Sequence, residues 1–175
     1  MNCVTPIAQL GAEVLRMQAN RIDDFTCAKF HSLIETMQQL MLQENGVGIA
    51  APQLGESLQI LIIASRPTPR YPQAPAMAPI VMVNPEVLVT DDTLVKDWEG
   101  CLSIPGIRAL VPRANAVYVS YQNPNGDHYK LDLQGFPARV FQHEYDHLIG
   151  KVYLDRVENN RDIVSESEFF KLLAA

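Results

Sequence analysis

Gln142-His143-Glu144-Tyr145-Asp146-His147-Leu148-Ile149-Gly150 is the stretch on which the reading of this chain turns. Residues i and i+4 of an α-helix lie one above the other, so His143 and His147 can close on a single ion with Glu144 beside its open side. Two imidazoles and an adjacent carboxylate begin a catalytic metal site, in which three protein groups hold a divalent ion and the carboxylate handles a proton. The third ligand is missing from this stretch. The helix itself is well announced: it opens at Gly135-Phe136-Pro137, and Val140, Phe141, Tyr145 and Leu148 recur at core-facing intervals.

A third donor has two sources. Downstream stand Asp155, Glu158, Glu166 and Glu168, any of which would complete the two-histidine, one-carboxylate set used by zinc endopeptidases. Upstream, Trp98-Glu99-Gly100-Cys101-Leu102-Ser103-Ile104-Pro105-Gly106 offers the thiol of Cys101. A lone cysteine is as readily an inert buried thiol, so the residues alone leave both open. A purely structural metal is a third reading, but it wants four protein ligands where three can be named.

Working outward, the apolar positions Phe30, Leu33, Ile34, Met37, Leu40 and Met41 predict an amphipathic helix from a Thr26 N-cap to Asn45-Gly46. Residues 1–24 read as an extended arm leading into it, and His31 as a structural or surface histidine. Gly46-Val47-Gly48-Ile49-Ala50-Ala51-Pro52-Gln53 follows, where two glycines let the backbone approach something closely and Pro52 stops a helix. Leu58–Ala64 is a buried strand, and the five prolines between Arg66 and Pro79 predict an irregular surface loop. Strands are expected at Ile80–Val89, bent at Asn84-Pro85, then at Ile107–Val111 and Ala116–Tyr121. The last of these joins His128–Leu133 through an Asn123-Pro124-Asn125-Gly126 hairpin turn, with His128 facing solvent. After Asp155 comes a polar tail with a helical turn or two over Ser165–Leu173. The fold class is α+β, antiparallel strands packed around a central metal-binding helix.

With 175 residues, 47% hydrophobic and 19% charged, the chain fits one globular domain over 1–175. A net charge of −6 with no lysine or arginine run argues against a nucleic-acid grip. No signal peptide opens the sequence and no apolar run approaches the ~20 residues of a membrane span, so a cytoplasmic protein is expected. Cys3, Cys27 and Cys101 are an odd, widely spaced set, which suits a reducing compartment.

Three segments taken together resemble the signature motifs of the peptide deformylase family, in the family's order: Gly46–Gln53, Glu99-Gly100-Cys101-Leu102-Ser103, and Gln142–Gly150. The likeness continues through Ile107–Arg113 and covers roughly residues 6–160. It implies a metal site of Cys101, His143 and His147 holding Fe2+, with Zn2+, Ni2+ or Co2+ as substitutes. It implies Glu144 as the general base and acid for attack by a metal-bound hydroxide. Gln53 and the Leu102 N–H would stabilise the oxyanion. The reaction implied is removal of the formyl group from N-terminal formyl-methionine of nascent peptides, with transient ribosome contact. Nearness to the motifs nominates Val47, Phe136 and Val140 for the methionine slot and the backbone near Gly48 for the peptide. Glu99 and Arg108, a short turn apart, either pair to fix the Cys101 loop or stand as two solvated charges, and either Gln142 or Asp146 is placed to support an imidazole N–H. The proline loop at 66–79 and the short tail depart from the family pattern.

Overall fold

The computed structural model describes residues 6–69 and 71–174. Cys3 and the opening of the expected arm lie outside the described residues. Among the described residues the α-helices and strands run in the order α1 (Ala28–Gln43), β1 (Gly48–Ala50), β2 (Ile60–Ser65), β3 (Met77–Cys101), β4 (Ile104–Gln122), β5 (His128–Gln134), α2 (Phe136–Leu148), β6 (Ile163–Ser165) and α3 (Glu166–Ala174). The strands form one antiparallel sheet in the order β1-β2-β3-β4-β5, and β6 pairs with β4. This is the α+β architecture expected.

β2 explains how the layers stack. Its residues alternate between two cores: Leu61 and Ile63 face α2, packing with Val117, Val119, Phe141 and Leu148. Ile60 and Ile62 face α1, packing with Phe30, Ile34, Met37 and Met41. A strand covered on both faces loses the polar half of its alternation, which is why this segment reads as an unbroken apolar run. Met37, Met41 and Phe141 are each fully buried, and each such side chain contributes about 1.5–3 kcal/mol.

Several boundaries differ from expectation. α1 begins at Ala28 behind Cys27, while Thr26 bonds Asp24 through both its N–H (2.8 Å) and hydroxyl (2.7 Å). The Asp24 side chain thus closes a local turn before the helix, and Thr26 caps nothing. The strand pieces on either side of Asn84-Pro85 are one strand, because the register shifts between Val83 and Glu86 and absorbs the proline. Asn84, at φ 49°, uses the bulge to bond the backbone of Ile22 in both directions at 2.8 Å. Likewise β4 runs unbroken from Ile104 to Gln122, joining the two strands expected there. β3 already begins at Met77, inside the predicted loop. The tail contributes β6, with α3 behind it. In the arm, Glu13–Arg16 forms a turn of 3-10 helix, and His31 bonds the Phe25 carbonyl at 2.8 Å, a structural histidine.

Candidate active site

Three distant pieces of chain meet. β3 and β4 are the arms of a long hairpin whose closing turn, Leu102-Ser103, comes directly after Cys101. α2 presents His143 and His147 one turn apart, with ring centroids separated by 5.5 Å. β1 and the 3-10 turn Ala51–Leu54 carry Gly48 and Gln53 alongside. The Cys101 thiol and one nitrogen from each histidine all lie within 4.8 Å of one another.

The donor chemistry fits a divalent transition metal. Burial would push the Cys101 thiol up, but the neighbouring His147 and His143 rings outweigh it and hold the thiol well below its ordinary value. That favours thiolate, the form that binds metal. His143 Nδ1 lies 2.8 Å from Glu99 Oε2. Burial would raise Glu99, yet Arg113 and His143 keep it well below the usual carboxylate range, so it accepts and Nδ1 carries the proton. The other ring nitrogen, on the Cys101 side, is then the one a metal would take in place of a proton. A thiolate with two imidazoles suits Zn, Fe, Ni or Co.

Glu144 is buried, its Oε2 has no hydrogen-bond partner among the described residues, and burial raises its carboxyl to about 7. Such a group exchanges a proton near neutral pH. Gly48 makes room for it: a Cβ there would stand 2.3 Å from Glu144 Oε1. Gln53 is buried, accepts from the Ala50 N–H at 2.9 Å and aims Nε2 at Cys101 Sγ (3.4 Å) and Ser103 Oγ (3.2 Å).

A cleft of about 420 Å³ opens over these groups. Val47, Gly48, Gln53, Cys101, Leu102, Phe136, Val140, His143 and Glu144 all line it, and His147, fully buried, stands behind. Each downstream carboxylate is engaged elsewhere: Asp155 with Arg16, Glu158 with Lys96, Glu166 with Arg108 and Glu168 with Lys171. None of these four joins the cluster.

Two expected pairings are corrected. Glu99 does not pair with Arg108; it accepts from Arg113 (2.9 and 3.0 Å), Arg139 (2.8 Å) and His143. Strand parity decides this. Glu99 sits opposite Ala109, so Arg113, four residues on, shares its face, whereas Arg108, the residue before Ala109, falls on the other, where its guanidinium lies against Gly100. The imidazole support expected of Gln142 or Asp146 comes from Glu99 instead. Gln142 bonds the Ala114 backbone, and Asp146 takes Arg113 and Arg156. Sequence reasoning missed Arg113 and Arg139, whose partners depend on register, and Tyr71, a cleft residue from the proline loop.

A thiol-imidazole triangle that could hold a divalent ion, with a buried carboxylate beside it and a cleft above, fits a metal-dependent hydrolase. Residues 4–162 match the family model described as polypeptide deformylase. The chain belongs to that family, and deformylation is its activity. It is 45% identical over 168 residues to peptide deformylase 2 of Nostoc sp., covering 96% of this chain and 94% of that one. With peptide deformylase 2 of Shewanella oneidensis it shares 45% over 151 residues, 86% of this chain and 83% of the relative. Among solved structures, a Met-Ala-Ser-bound class I type b peptide deformylase from Acinetobacter baumannii matches with a TM-score of 0.86 and 43% identity, covering 90% of this chain and all of that one.

Proposed function

We propose that the cleft removes the formyl group from the N-terminal formyl-methionine of newly made polypeptides, releasing formate, and that residues 1–175 act as one catalytic domain. The observation that carries this is the triangle of Cys101, His143 and His147 with Glu144 beside it. A Met-led peptide bound in the Acinetobacter relative supports the substrate class.

Cys101, His143 and His147 would hold the ion, Fe2+ in the cell, which when bound would supply a Lewis acid and lower the pKa of a water. Glu144 takes the proton from the attacking water and returns it to the leaving amine. The Gln53 amide and the Leu102 N–H donate to the formyl oxygen as negative charge develops there; one such donor is worth about 3 kcal/mol. Val47, Phe136 and Val140 form the methionine slot. The backbone at Gly48 holds the peptide as an added strand, a mode that reads few side chains and suits many sequences. The family's substrates emerge from ribosomes, so the protein works in the cytoplasm with passing ribosome contact. No helix among the described residues is long and apolar enough to cross a membrane.

The test is formate release from a formyl-Met dipeptide. Glu144→Gln should keep its metal and lose turnover by about 10²–10⁴-fold, as expected of a general base. Cys101→Ala should lose the metal; an ion still bound in that variant with turnover intact would return the endopeptidase-type ligand set to favour.

A further inference from the structure

Two turns of the cleft wall are tied together from behind. Gln53 sits in the 3-10 turn Ala51–Leu54, and Ser103 in the turn that closes the β3–β4 hairpin, where Cys101 pairs with Ile104. The arm spans both: the Ala8 N–H donates to the Gln53 carbonyl and the Leu10 N–H to the Ser103 carbonyl, each at 2.8 Å. Two N–H groups two residues apart thus fix the distance between the turns. Ser103 is fully buried, set between Leu102 and Ile104, which line the cleft.

The side chains complete the tie. Gln53 Oε1 accepts from the Ala50 N–H at 2.9 Å, and a backbone N–H can only donate, so the amide oxygen belongs on that side and Nε2 on the other. Nε2 donates to Ser103 Oγ at 3.2 Å and lies 3.4 Å from Cys101 Sγ. The hydrogens of an amide nitrogen diverge at a fixed angle in the amide plane, so the one held by Ser103 aims the other over the donor triangle. Without the Ser103 oxygen the amide plane keeps the Ala50 bond as a pivot and is free to turn about it.

Resting on the reading of Gln53 as an oxyanion donor above, we infer that Ser103 is a positioning residue: from behind the cleft wall its hydroxyl oxygen holds the Gln53 amide so that the second N–H faces the formyl oxygen as charge develops there. Such a donor is effective because it is already in place and needs no reorganisation at the moment of reaction. The signature of losing the hydroxyl is therefore a fall in kcat with KM and metal content kept.

The experiment follows formate release from formyl-Met-Ala-Ser by wild type, Gln53→Ala, Ser103→Ala and the double variant, with KM and metal content for each. Gln53→Ala should lose about 10²–10³-fold in kcat. Ser103→Ala should lose about 10–100-fold, with KM within about 2-fold of wild type. In the double variant Ser103→Ala should cost less than about 2-fold beyond Gln53→Ala, because the oxygen acts through that amide. Ser103→Thr and Ser103→Val match in size and differ in the hydroxyl. A kcat ratio of about 10 or more between them carries the test should Ser103→Ala fail to fold. A ratio near unity, wild-type kcat in Ser103→Ala, or a fully additive loss in the double variant would overturn this inference alone. Wild-type kcat in Gln53→Ala would overturn the reading of Gln53 beneath it.

Discussion

The Nδ1–H of His143 donates to Glu99 Oε2 at 2.8 Å, and through that bond the hairpin that supplies the thiol also orients a ring of the metal-binding helix. Glu99→Gln should therefore loosen the ion. An amide can present its N–H where Nδ1 needs an acceptor, and losing such a partner costs about 10–100-fold in metal affinity. Competition with a chelator, followed by the metal content of the desalted protein, measures it; unchanged retention would contradict the role.

Gly48→Ala should damage turnover and spare the metal. The added Cβ would fall 2.3 Å from Glu144 Oε1 and 2.8 Å from that side chain's Cγ and Cδ, so the whole carboxylate has to move. Displacements near 1 Å at a reacting group cost about 10²-fold. The check is kcat for formyl-Met-Ala-Ser alongside metal content, and a fully active variant would argue against Glu144 as the proton carrier.

Arg113→Met should destabilise the fold. Arg113 bonds Glu99 and Asp146, and all three side chains are 4% exposed or less. Removing the cation strands two buried carboxylates, and breaking a buried pair costs about 3–5 kcal/mol. Urea unfolding gives the value; a loss below about 1 kcal/mol would be that of an exposed pair instead.

Iron-loaded enzyme should lose activity in air while nickel-loaded enzyme persists, because a partly exposed thiolate beside a redox-active ion is open to oxidation. Parallel time courses under air and argon separate the two, and equal stability would remove the basis for iron as the resident ion.

How much is legible in the sequence depends on how local each cause is. The i, i+4 spacing of His143 and His147 is fixed by helix geometry, and the apolar face of α2 is visible in Val140, Phe141 and Leu148. Gly48 announces a close approach, though not that Glu144 is the group approached. Glu99 misleads because its partner is set by pairing register across a hairpin, and a single shift between Glu99 and Cys101 separates the strand's arithmetic from the loop's. Asn84-Pro85 reads as a break because a bulge needs a partner strand to be recognised as one. Glu166 reads in the sequence as one of four acidic candidates for the metal; only the pairing of β6 to β4 shows it facing Arg108.

The donors stand at residues 101, 143 and 147, and the two imidazoles belong to an element that comes after the whole β3–β4–β5 meander. During synthesis the thiol emerges long before either ring, so a half-made chain owns one loose ligand and cannot retain an ion. Such distant contacts form late, and capture of the ion then stabilises only the finished arrangement. Loading is in this sense an audit of completion: the enzyme that trims new chains becomes competent only once both its β3–β5 meander and the helix behind it have been delivered.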